Sequence, residues 1–148
     1  MVAKETFLSD TVKFIRNDLD SNITDPLVSS RTGRERFVMT SYPHRSVKYP
    51  IITVLGVLDS AGALGMRSSI MQYIISVEIR VWARDVKEKD ELIEQVVERL
   101  RGNQFGASSL NNAKLHGLEL TSMIDVDEPG KGNPKSKIIT IKFMFITE

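Results

Sequence analysis

Apolar residues return along this chain in two rhythms, one of three to four positions and one of two. Leu8, Val12, Ile15 and Leu19 follow the first, with Phe7 and Phe14 widening the stripe, so residues 5–20 are predicted to form an amphipathic helix. Residues 22–33 (NITDPLVSSRTG) are rich in backbone breakers and small polar residues and read as a loop. A short β-type segment, RFVMTS, lies within residues 34–41 and is stopped by Pro43. Residues 49–58 (YPIITVLGVL) form a second strand, whose nearly unbroken apolar run predicts burial on both faces. Residues 59–69 (DSAGALGMRSS) are small and glycine-rich, and read as a flexible connection longer than an ordinary hairpin loop.

Alternation by two is clearest in residues 70–84. There Ile75, Val77, Ile79, Val81 and Ala83 face one way, and Ser76, Glu78, Arg80, Trp82 and Arg84 the other. The rhythm then changes to a helical stripe of Leu92, Ile93, Val96, Val97 and Leu100. Asp85 stands at the N-cap with Glu88 three residues on to complete a capping box, and Gly102 takes the place of a left-handed C-terminal cap. After a polar loop, residues 115–126 and 137–147 read as strands joined by the turn EPGKGNPKS. In the last strand Ile139, Ile141, Phe143 and Phe145 alternate with Thr140, Lys142 and Met144. The order α-β-β-β-α-β-β has no internal repeat and no dividing linker. It predicts one α+β domain over residues 1–148, its helices packed on one face of a mainly antiparallel sheet.

A chain of 148 residues is long enough to bury a core without disulfides or metal, and a formal net charge of +1 argues against a general polyanion binder. The absence of cysteine excludes thiolate zinc sites, disulfides and cysteine nucleophiles, and fits a reducing compartment. The N-terminal residues lack an apolar core of signal-peptide length, and the longest uncharged apolar run, near residues 68–77, is too short to span a bilayer.

Candidate chemistry is sparse. His44 and His116 are the two histidines, and neither lies in a local signature of nucleophilic catalysis. Residues 105–110 (FGASSL) lack the second glycine of a nucleophile elbow, and the glycine- and lysine-bearing stretch around Gly130 lies between strands, with no helix N-terminus to cradle phosphate. Asp125, Asp127 and Glu128 offer oxygen ligands without a calcium-loop pattern, and read as a charged strand end. No catalytic residue, metal or cofactor is assigned.

Charge is distributed unevenly. Residues 31–49 hold Arg31, Arg34, Arg36, Arg45 and Lys48 against Glu35, a net of +4, interleaved with Tyr42, His44 and Tyr49. Residues 85–98 hold Asp85, Glu88, Asp90, Glu91, Glu94 and Glu98 against Lys87 and Lys89, a net of −4. A basic, aromatic-bearing segment suits nucleic acid or an acidic surface on a neighbouring copy, and the near-neutral total charge favours the second. Trp82, the single tryptophan, shares its strand face with Glu78 and Arg80, a combination suited to a contact surface.

The N-terminal amphipathic helix, an arginine-bearing first strand, a YPIITV strand, the long YIISVEIRVWA strand, the helix EKDELIEQVVERL and a closing hairpin resemble the tail terminator (tail completion) proteins of long-tailed bacteriophages and archaeal tailed viruses. The resemblance runs over nearly the whole chain and rests on element order and residue style. It implies a non-enzymatic virion protein, assembled in the host cytoplasm, that forms a hexameric ring at the head-proximal end of the tail. Such a ring stops tail tube polymerisation and joins the tail to the head connector. The implied partners are further copies of the chain, tail tube protein, connector or neck proteins and, where the tail has one, sheath protein, with DNA passing through the lumen without sequence readout. The subunit interface is then expected among Arg31, Arg34, Arg36, Arg45, Lys48, Glu78, Arg80, Trp82, Glu88, Glu91, Glu94 and Glu98. Two other readings are another head-tail neck, tube-associated or baseplate adaptor protein, and a small α+β ligand-binding or enzyme domain built around the histidines and the residue 125–128 carboxylates.

Overall fold

A computed structural model describes residues 6–32, 35–42, 48–63, 65, 70–104, 110, 112–126 and 134–147. The elements are α1 (Phe7–Asn22), β1 (Val38–Met39), β2 (Ile51–Ala63), β3 (Met71–Ala83), α2 (Val86–Gly102), β4 (Leu115–Asp125) and β5 (Lys135–Thr147). The α-β-β-β-α-β-β order is as predicted, and the chain folds as an α+β domain. The strands lie in the order β1-β2-β3-β5-β4, with β1 parallel to β2 and every other pairing antiparallel. β3 and β4 therefore run the same way with β5 between them. Joining them needs a crossover, and α2 supplies it.

Alternation along β3 and β5 divides the sheet into two faces. Ile75, Val77, Ile79 and Val81 pair with Phe143, Ile141, Ile139 and Lys137, and the apolar members of these rows are buried beneath the helices. α1 lies over β1 and β2; α2 lies over β3 and β5. Ile15 and Leu19 of α1 and Leu92, Ile93, Val96 and Leu100 of α2 complete the core. Phe7 stacks on Tyr73 at 4.4 Å and on Phe145 at 5.8 Å. Between the helices, Asp18 accepts from the Arg99 guanidinium at 2.7 and 3.1 Å and from Asn103 Nδ2 at 3.1 Å. That carboxylate holds Arg99 above its ordinary pKa.

Gly56 explains how α1 reaches β2. A Cβ there would lie 2.5 Å from Val12 Cγ2 and 3.2 Å from Leu8 Cδ1. The strand gives up a side chain so that the helix can approach.

Several boundaries differ from those predicted. The first β segment shrinks to Val38–Met39, and β2 continues through Ala63 into the stretch read as a flexible connection. The pairing of Ser60–Ala63 with Ile74–Met71 carries the ladder past the helices, so this end of the hairpin is exposed despite being regular. β2 is buried on both faces only at Ile51 and Ile52, since Leu55 and Val57 are 54% and 51% exposed. Asp85 caps α2 as expected, accepting from the Glu88 N–H at 2.8 Å. Glu88 reaches back one residue further, to the Arg84 N–H at 3.1 Å, because Arg84 also offers its guanidinium. Gly102 remains helical, and α2 ends at Asn103 with negative φ rather than on a left-handed glycine.

Candidate functional site

The sheet face opposite the helices has no helix over it among the described residues. Its rows read across β2, β3, β5 and β4 as Thr53, Arg80, Ile138 and Ile124; then Leu55, Glu78, Thr140 and Ser122; then Val57, Ser76, Lys142 and Glu119. Ile74, Met144 and His116 extend it toward the exposed hairpin end. Four strands spaced by about 4.8 Å and some eight residues deep make a face on the order of 500 Å². Leu55, Val57, Ile124 and Ile146 are exposed on it. They lie among hydroxyl and charged side chains, so the face is a mixed surface of the kind found at protein contacts rather than one continuous apolar patch.

Charges on the face are largely held within the chain. Asp59 is the extra residue where the β2–β3 register shifts between Leu58 and Ser60. Its carboxylate accepts from the Ser76 hydroxyl and lies 3.4 Å from Lys142 Nζ. The Ser76 hydrogen bond, and after it Lys142, hold the Asp59 carboxyl below the usual carboxylate range. At the opposite end the Arg80 guanidinium lies 3.6 Å from the Trp82 ring centroid and donates to Ser136 Oγ at 2.9 and 3.2 Å. The Tyr42 ring also packs against Trp82, 4.9 Å away and tilted. Glu78 stands between these clusters, with no ion pair among the described residues.

The predicted interface residues thus separate. Arg80 and Trp82 form one intramolecular stack at the margin of the open face, and Glu78 lies nearer its centre. Arg31 is turned inward: its side chain is 7% exposed, pairs with Asp25 at 2.6 Å, donates to the carbonyls of Lys48 and Pro50, and lies over Phe37. Lys48 donates to the Ser30 carbonyl at 2.7 Å and stays half-exposed. Arg36 is exposed beside β1, in a shallow cleft with Arg16 and Met39. Glu88 is committed to Arg84, and Glu91 lies 3.9 Å from Lys87 in a cleft facing Thr24 and Pro26. Glu94 and Glu98 project from α2 toward β4. Arg34, Arg45, His44, Asp127 and Glu128 lie outside the described residues.

One charged centre escapes a reading by pattern. Lys89 is buried, and its Nζ lies 2.9 Å from Asp125 Oδ1 at the end of β4. Lys137 lies 3.6 Å from both Asp125 and Asp90. The Lys89 hydrogen bond is the main reason that the Asp125 carboxyl sits below its usual pKa. A signal for this existed: Lys89 lies three and seven residues before Leu92 and Val96, on the apolar stripe itself. Asp125 therefore ties a strand to a helix. Among the described residues no group of three histidine or acidic side chains is gathered closely enough to hold a metal ion.

The open face brings together apolar side chains, hydroxyls and mostly paired charges, a composition suited to packing against another surface. No protein-family model matches this chain, and no curated protein matches it.

Proposed function

We propose that the chain is a structural virion subunit of the tail-terminator type, forming a ring at the head-proximal end of a phage tail, ending tube growth and meeting the head connector. The observation that supports this reading is the bare second face of the sheet. A single layer of helices covers one side, while Leu55, Val57, Ile124 and Ile146 are left exposed on the other. Burying such a face gains on the order of 25 cal/mol per Å² of apolar surface, and a partner subunit or tube protein supplies the cover. In a ring one face of each subunit meets a different face of the next, so the open sheet face need not be self-complementary. The near balance of charge on the face suits protein rather than DNA.

The test is co-assembly with the tail tube protein, followed by mass measurement and negative-stain imaging. Six-fold rings capping the tubes are the expected result. Leu55→Glu with Val57→Glu should abolish capping while leaving the monomer folded, because both side chains are already exposed. A chain that stays monomeric alongside tube protein would overturn the reading.

A further inference from the structure

We propose that the groove between α2 and β4 is a docking site for an amphipathic helix of a partner protein, one whose apolar stripe is flanked by lysine or arginine. Packed helices stand about 8–10 Å apart and strands about 4.8 Å apart, so two helices roof about four strands. Here α1 takes β1 and β2 and α2 takes β3 and β5, which leaves the fifth strand, β4, without a helix over its middle on the core side of the sheet among the described residues. Two residues of β4 that face this side are exposed accordingly, Leu120 at 47% and Met123 at 43%.

The vacant lane has the shape and chemistry of a missing helix. Two adjoining hollows of about 330 and 480 Å³ run along it and meet at Val97. From Asp90 to Gly102 the α2 wall is about 18 Å long at 1.5 Å per residue, enough for some three turns of a second helix. Its floor is Leu118, Leu120, Met123, Ile139 and Ile141, a continuous apolar strip with no convergent polar set of the kind that orients a small ligand. The charge of the occupant follows from the wall. Glu94 makes no ion pair among the described residues, and Glu98 reaches only Arg101, at 4.0 Å. Two cations also line the groove, Lys137 matched by Asp90 and Asp125 and Arg101 matched by Glu98, which leaves Glu94 as the unmatched charge of the wall. Two exposed carboxylates one turn apart beside an apolar floor fit a helix with cationic flanks.

The inference does not rest on ring formation, and its test uses the full chain without tail proteins. A fluorescent 18-residue synthetic helix with leucines at three- and four-residue spacing and lysines on both flanks is titrated by anisotropy, beside an analogue with glutamate flanks. Saturable binding of the lysine peptide is expected. Leu120→Glu should weaken it by about tenfold or more. Glu94→Lys with Glu98→Lys should reverse the preference between the two peptides. All three positions are exposed, and far-UV circular dichroism confirms that each variant is folded; Met123→Glu serves as a second floor variant. Failure of the lysine peptide to saturate, equal binding of the glutamate peptide, indifference to both floor variants, or cross-links that map to Leu55 and Val57 would each overturn the proposal.

Discussion

Gly56→Ala isolates the contact that places α1 on the sheet. The new Cβ would sit 2.5 Å from Val12 Cγ2 and 3.2 Å from Leu8 Cδ1. Carbon atoms prefer about 3.5–4.0 Å, so the valine contact is short by about 1 Å. Leu8 can yield by rotating its side chain. Val12 cannot do so cheaply, because a β-branched residue in a helix has one strongly preferred rotamer. The helix must therefore lift, loosening Ile15 and Leu19, both fully buried in the core. Overpacking of this kind costs about 1–3 kcal/mol. Replacing glycine removes freedom from the unfolded chain and returns about 0.4–1 kcal/mol, with no left-handed backbone to strain at this position. The net expectation is a loss of about 1–2 kcal/mol. At this chain length that lowers Tm by roughly 3–6 °C. Thermal and urea unfolding followed by circular dichroism measure it. Val12→Ala removes the clashing methyl, so the double variant should be more stable than the sum of the single effects by about 1 kcal/mol. A Gly56→Ala protein as stable as the parent, or strict additivity with Val12→Ala, would refute the view that close approach at Gly56 sets the helix position.

Three further outcomes follow from the buried charges and the cap. Arg31→Ala should cost about 3 kcal/mol or more in urea unfolding, because it leaves Asp25 with a nearly buried, uncompensated charge; Arg31→Lys should recover less than half, since an ammonium cannot span Asp25 and two backbone carbonyls. Folding lowers the Asp125 pKa, so its contribution is complete above the unfolded value of about 3.9 and is lost as pH falls through the folded value. Asp125→Asn should thus lower stability by about 1 kcal/mol at neutral pH, a figure kept small by the exposure of the carboxylate, and flatten the decline between about pH 5 and pH 2; a parallel curve would contradict the assignment. Asp85→Ala should cost about 1 kcal/mol through loss of the α2 cap, with Asp85→Ser restoring most of it in thermal melts.

Element type and order were legible because each rests on local periodicity. The stripe from Leu92 to Leu100 and the alternation from Ile75 to Val81 have one reading each, and the Asp85 cap fixes where one gives way to the other. The inward-facing halves of β3 and β5 follow from the same alternation. The end of β2 was less legible, because Asp59–Ala63 has loop-like composition and is held as strand by the pairing of Ser60–Ala63 with Met71–Ile74, eight to fourteen residues on.

The candidate surfaces depend on what lies across from each residue. Glu78, Arg80 and Trp82 share a face by pattern, yet only the fold shows Arg80 stacked on Trp82 and braced by Ser136, fifty-six residues on. Arg31 reads as a free surface cation until the loop closes around it. Leu120 and Met123, three residues apart, would point opposite ways in a regular strand, and the register shift between Leu120 and Ser122 brings both to the core side. Their exposure arises because β5 inserts between β3 and β4 and moves the middle of β4 out from under α2. Local rhythm decides which way a side chain points, since that is a property of a few consecutive dihedrals. Whether anything lies there to meet it is a property of strand order and helix count, which only the assembled sheet decides.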